Sequence, residues 1–245
     1  MKADQGQQWK LLDLAALDTR AAQIAHRRKN LPEAEDARRA QEAYDTHEAD
    51  LVRARTAHSD VEREVIKAED DVQLVRDRAK RTMSRLDDGS TSARDLTNLQ
   101  SELESLQRRT ATLEDEQLAV MERSEAIGAK VEKLQAAEPD LKAAAVAAAE
   151  AERQALAHLD EAEETIARSR ADVTGGIAAP LLELYEKIRE QTGMGAAALT
   201  QRRCGGCNLE LFGADMRRVA DAPEDEVVRC EECRRILVRT SESGL

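Results

Sequence analysis

A chain of 245 residues with 35% charged and only 2% aromatic side chains has too little bulky apolar material for a wide globular core. Ala, Glu, Arg, Leu and Gln dominate, residues that lose little entropy in a helix, so long, thin helical packing is expected. The net charge of −12 disfavours general attraction to nucleic acid or anionic lipid, and no run approaches the roughly 18 apolar residues of a membrane span.

The first twenty residues alternate charge with leucine and contain no apolar core of a signal peptide. All four cysteines lie at or beyond position 204. Together these features predict reduced thiols, metal rather than disulfides, and a cytoplasmic location.

An early apolar stripe, Leu14, Leu17, Ala21, Ile24 and Leu31, ends at Pro32, which is expected to break the helix. From Tyr44 to Leu86 a seam recurs in strict alternation of three and four, through Leu51, Ala54, Val61, Val65, Val72 and Ala79. A second seam runs from Leu96 to Val173, through Leu99, Leu103, Leu113, Val131, Ala145 and Leu159. The segment 87–92, Asp-Asp-Gly-Ser-Thr-Ser, separates them. Gly89 can cap one helix and a serine can start the next.

Two arms of matched length around one turn predict an antiparallel coiled-coil hairpin. Folding them together sets Leu86 against Leu96, Ala79 against Leu103, Val65 against Gln117 and His58 against Ser124. Ala34 and Ala37 then meet Ala148 and Ala145. Pro139 should interrupt the second arm, because proline removes a helical hydrogen bond and clashes with the preceding turn. On the seam, His47 and His58 read either as ligands or pH sensors, or as polar insertions that fix register, the commoner role.

Thr174-Gly175-Gly176 ends the second arm, and Pro180 opens a short amphipathic helix, Leu181 to Gln191. Beyond Gly195 the pattern changes to short strands at 196–203, 209–212, 227–229 and 236–240. The predicted organisation is mainly α: a coiled-coil hairpin over 1–174, then a short helix and a small C-terminal β zinc ribbon over 175–245.

The chemistry lies in Cys204-Gly-Gly-Cys207 and Cys230-Glu-Glu-Cys233, two pairs separated by 22 residues. Two residues between cysteines let a tight turn aim both thiolates at one ion, and two such knuckles complete a tetrahedron. Gly205 and Gly206 are expected to supply the backbone angles. One structural zinc is the expectation, ahead of iron in the same cage. A redox dithiol is the competing reading, but it would sit once, at a helix start within a βαβ pattern that is missing here.

Arg202 and Arg203 precede the first knuckle, and Arg234 and Arg235 follow the second. They read as a nucleic-acid or partner surface, or as cations that offset the negative charge of a zinc tetrathiolate. Phe212 is the one aromatic in this region, so a base-stacking platform is lacking.

The turn segment, the run Pro180-Leu-Leu-Glu-Leu-Tyr-Glu-Lys-Ile-Arg and the two knuckles together resemble the bacterial C4-type zinc-ribbon proteins with an N-terminal coiled-coil hairpin. The preponderance of arginine over lysine suits a member from a GC-rich, actinobacterial-type genome. The resemblance implies the four cysteines as zinc ligands. It also implies partners of the kind seen in flagellated or secretion-competent bacteria: an RNA-polymerase sigma factor, secretion components and messenger RNA. The function expected is a non-enzymatic adaptor that binds a protein partner, with a nucleic-acid-binding regulator as the alternative. Neither a membrane nor a small-molecule substrate is expected.

Overall fold

The computed structural model describes residues 1–88 and 92–245. In chain order the elements are α1 (Gln5–Lys29), α2 (Pro32–Asp87), α3 (Ala93–Gly175), α4 (Ala179–Thr192), β1 (Ala196–Thr200), β2 (Arg203–Cys204), α5 (Gly213–Asp221), β3 (Val228–Arg229) and β4 (Ile236–Arg239). By contact they form two compact units: residues 34–150, and residues 1–33 with 151–245. The sequence division at 174/175 follows the kind of element, not this partition.

In the first unit α2 and α3 lie antiparallel. Between Tyr44 and Leu86 every predicted seam position is buried or half-buried, and Asp50 is the only other residue withdrawn from solvent. Leu51, Ala54 and Val131 are buried together, with Leu134 packed on them, as the folded register requires. Cross-arm pairs hold the flanks: Arg76 with Glu114 and Arg78 with Glu102, both at 2.6 Å, and Arg123 with Glu64. Such exposed pairs add little energy individually, but they discriminate between registers.

The turn expected at 87–92 falls partly outside the described residues, and the cap expected at Gly89 lies there. Ser92 does start α3. Its carbonyl accepts from Leu96 N at 2.9 Å, and its hydroxyl donates to the Asp95 carboxylate while accepting from Asp95 N.

Pro32 breaks the first arm as expected and occupies the first position of α2, where a missing N–H costs nothing. The expectation for Pro139 is corrected, since α3 continues through it without interruption. One lost helical bond is outweighed where packed seam residues flank the proline on both sides, here Leu134 and Ala145. His47 Nε2 lies 2.8 Å from the carbonyl oxygen of Leu134. That oxygen can only accept, so Nε2 carries the proton. The neighbouring carbonyl, of Gln135, is the one that Pro139 deprives of a helical donor. His58 sits against Gly128, where an added Cβ would meet its ring at 3.1 Å.

The second unit is built on a four-stranded sheet of order β2-β1-β4-β3. The central pair β1–β4 is parallel, and both outer strands are antiparallel to their neighbours. Alternation along the strands divides the core in two. Ala196, Ile236 and Val238 face Leu11 and Leu14 of α1 and Leu181, Tyr185 and Ile188 of α4. Ala197, Leu199 and Leu237 face the opposite side with Val219, Val228 and the buried cysteines. The N-terminal residues also join this unit: Val227 N donates to Met1 O, and Ala3 N to Asp225 O.

The expected strand 196–203 is two strands joined by Gln201 and Arg202, both at positive φ, which is the geometry of a two-residue primed hairpin turn. The strand expected at 209–212 is not formed; Glu210 makes a single bridge to Arg203. Helix α5 was not anticipated at all.

One buried carboxylate ties three helices of this unit together. Asp18 of α1, 8% exposed, accepts from Tyr185 Oη at 2.7 Å and from Arg170 Nε at 2.7 Å, with Arg189 Nε at 3.5 Å. Glu186 pairs with both arginines. Burial raises the Tyr185 phenol well above its ordinary value, and its bond to Asp18 adds to the rise.

Tyr185→Phe removes the neutral donor from a charged acceptor and should cost about 1.5–3 kcal/mol in a denaturant titration. The sign with pH follows from linkage. The folded-state value of the phenol lies above the ordinary 10.0, so its contribution is complete below pH 10.0 and is lost as pH rises beyond it. The wild-type advantage over Tyr185→Phe should therefore shrink in alkali.

Candidate metal centre

The two knuckles share one backbone plan. In the first, Asn208 N donates to Cys204 O at 2.8 Å and Cys204 N to Leu209 O at 3.0 Å; in the second, Arg234 N donates to Cys230 O at 2.9 Å and Cys230 N to Arg235 O at 3.0 Å. The fifth residue of each, Asn208 and Arg234, takes the left-handed conformation, with φ of 61° and 63°. The expectation that Gly205 and Gly206 provide unusual angles is thereby corrected. Their role is space: a Cβ on Gly205 would stand 3.1 Å from Ala198 O, and one on Gly206 would stand 2.7 Å from Arg235 Cδ.

The sheet brings the knuckles together, since Cys204 ends β2 and Cys230 directly follows β3. All four Sγ atoms lie within 4.8 Å of one another. Cys204 and Cys233 Sγ are 3.7 Å apart, and Cys207 and Cys230 Sγ are 3.9 Å apart. A zinc tetrahedron with ordinary zinc–sulfur bonds has edges of about 3.8 Å, so the donor atoms stand where the ion needs them. Gly206 N points at Cys204 Sγ from 3.4 Å, a donor toward developing thiolate charge.

Burial pushes the Cys204 thiol up to about 12, against backbone donors from Cys207 and Gly206. Burial likewise raises Cys230. At Cys233 burial is outweighed by the Arg235 N–H and the neighbouring thiols, and the value falls. A buried thiol held protonated is released to its thiolate by a metal ion. Four soft donors around one point leave no position for a reacting water, which is the arrangement of a structural zinc.

The arginines are largely engaged with the chain itself. Arg235 donates from Nε, Nη1 and Nη2 to the carbonyls of Met194, Gly206 and Thr192, joining the first knuckle to the end of α4. Arg203 pairs with Glu210 at 3.4 Å, Arg234 with Glu231 at 3.2 Å, and Arg202 Nε reaches Gly244 O at 3.4 Å. Arg239 donates to five carbonyls around the C-terminal end of α5, and its own carbonyl accepts from Trp9 Nε1. Sequence reasoning assigned no role to Arg239 or to Trp9. Asp18 was missed too, although a lone carboxylate at the next step of the Leu11-Leu14-Ala15 stripe was a legible signal.

Fold and metal centre define a helical hairpin protein carrying a C4 ribbon. Residues 14–193 match the CT398-like coiled coil hairpin domain, and residues 203–237 match the C4-type zinc ribbon domain. The chain belongs to this family of coiled-coil hairpin proteins with a C-terminal zinc ribbon and carries one structural zinc site. It is 38% identical over 239 residues to an uncharacterized protein of Mycobacterium tuberculosis, covering 98% of both chains. A solved structure from Mycobacterium smegmatis is 37% identical and superposes with a TM-score of 0.83 over 98% of this chain and 100% of that one. CT398 from Chlamydia trachomatis shares the fold at 16% identity, with a TM-score of 0.69 over 96% and 98% of the two chains.

Purified protein should contain one zinc per chain by metal analysis, and Cys204→Ser should lose it. The ribbon should then unfold while most helical circular dichroism survives, since metal binding supplies much of the folding energy of so small a sheet. Arg235→Ala should destabilise the ribbon by about 1.5–3 kcal/mol through its lost charged hydrogen bonds. Exposed Arg202→Ala should stay within about 0.5 kcal/mol in the same unfolding assay.

Proposed function

We propose that the protein is a non-enzymatic adaptor of the cytoplasm, in which zinc held by Cys204, Cys207, Cys230 and Cys233 fixes the ribbon and helical faces receive a protein partner. The closed donor set carries this reading, because an ion with four protein ligands organises a fold and activates no water. No helix among the described residues is long and apolar enough to cross a membrane. Transcription or secretion machinery is the partner class that the family resemblance suggests.

Nucleic-acid binding is the alternative, through exposed Arg202, Arg203 and Arg234. Against it stands their engagement with Gly244, Glu210 and Glu231. A tagged pull-down with and without nuclease should recover the same protein partner in both arms. In a salt titration, RNA and DNA binding should be weak and unaltered by combined replacement of the three arginines with alanine. Tight binding whose logarithmic salt slope is about 0.7 to 0.9 per phosphate contact, abolished in the triple variant, would replace the adaptor with the nucleic-acid reading.

A further inference from the structure

Along one flank of the pair formed by α1 and the last stretch of α3 runs an open groove, made of two adjoining cavities of about 310 and 580 Å³ that share Arg27 and Leu159. Ile24, Leu159 and Ile166 form its floor. Arg20 and Arg27, seven residues and so about two turns apart on α1, stand on its rim. Arg20 makes no ion pair among the described residues, and the nearest carboxylate to Arg27 is Glu33 at 3.9 Å. On the opposite flank Arg28 is held by Asp160 at 2.5 Å and Glu163 at 3.0 Å. At the far end of the groove, Glu33 Oε2 is enclosed and accepts no hydrogen bond.

From these observations we infer that the groove is the docking site for an acidic amphipathic helix of a partner protein. Charge complementarity selects the occupant. In a chain of net charge −12, Arg20 without an ion pair among the described residues and Arg27 with only a 3.9 Å partner overlook an apolar floor, so the matching ligand offers carboxylates beside a leucine-like stripe. The groove follows α3 from Ala151 to Ile166, a span of about 22 Å, or roughly four helical turns. Carboxylates seven residues apart on the ligand match Arg20 and Arg27 in spacing. A phosphate backbone would meet an apolar floor and a carboxylate, which disfavours nucleic acid here.

This inference deepens the adaptor reading by naming where the partner docks and with what chemistry. The test uses full-length, zinc-loaded protein and a phage-displayed library of helices of about 18 residues, with a fixed leucine stripe and randomised flanks. Selected peptides should carry Asp or Glu on their flanks and bind the Arg20→Glu, Arg27→Glu double variant about tenfold more weakly or worse. Glu→Lys versions of those peptides should prefer the variant. Both substitutions are exposed, and unchanged helicity will show that the variant folds. Selection of nothing, basic or neutral flanks, or indifference to the charge reversal would each overturn the inference. A concentration-dependent dimer that dissolves in the double variant would also overturn it, by making a second copy the occupant. If the groove fails while the pull-down still recovers protein, the adaptor reading stands and only this docking site falls.

Discussion

Thiolate coordination at a single point holds together a sheet that strand pairing alone cannot. The outer strands β2 and β3 have two residues each, far below what an isolated sheet needs. Each begins or ends at a knuckle, so joining Cys204 and Cys207 to Cys230 and Cys233 pins both edges onto the parallel pair β1–β4. Coordination does what a wider core would do elsewhere, in a chain whose aromatic content cannot fill one. The repeated knuckle, with its left-handed fifth residue, makes this closure symmetrical: each turn satisfies its own backbone and leaves both sulfur atoms facing inward.

The other face of the sheet depends on a different device. Leu11, Leu14, Leu181 and Ile188 supply apolar contact, which fixes proximity but not rotation. Asp18, reached from α4 by Tyr185 and Arg189 and from α3 by Arg170, can be satisfied in one arrangement of the three helices only. A buried ionic cluster adds little net stability over an apolar equivalent, but leaving any member unpaired is costly. Specificity of this kind suits packing made largely of small and aliphatic side chains. In the hairpin the same role falls to cross-arm ion pairs and to His47 on the Leu134 carbonyl.

The seam was readable because in a two-helix coil each residue is either between the helices or in solvent, so a 3–4 spacing translates directly into burial. Cysteine spacing was readable because coordination geometry tolerates few alternatives. The ribbon interior was not: two-residue strands carry no period, the residues at 201–202 form a hairpin through positive φ without a single glycine, and α5 is too short for its pattern to register. Gly205 and Gly206 looked like conformational hinges, yet what they supply is clearance for Ala198 and Arg235. That distinction depends on tertiary neighbours. Pro139 misled for a related reason, since the local rule against proline was overridden by the packing on both sides of it.

The basic residues show how far composition can mislead about recognition. Counted along the sequence, the ribbon has the arginines of a phosphate-binding surface. In the fold, Arg235 and Arg239 are directed inward at backbone carbonyls, where a planar guanidinium can bridge several acceptors at once and the sheet offers too few strands to satisfy them. Arg203 and Arg234 face neighbouring glutamates. On α1, a helix that sequence reading treated only as an early piece of the coil, Arg20 makes no ion pair among the described residues and Arg27 has only a long one, to Glu33 at 3.9 Å. Recognition is therefore better sought where charge is unanswered than where it is most concentrated. In this protein that criterion points away from the metal centre, to a helical flank with an apolar floor.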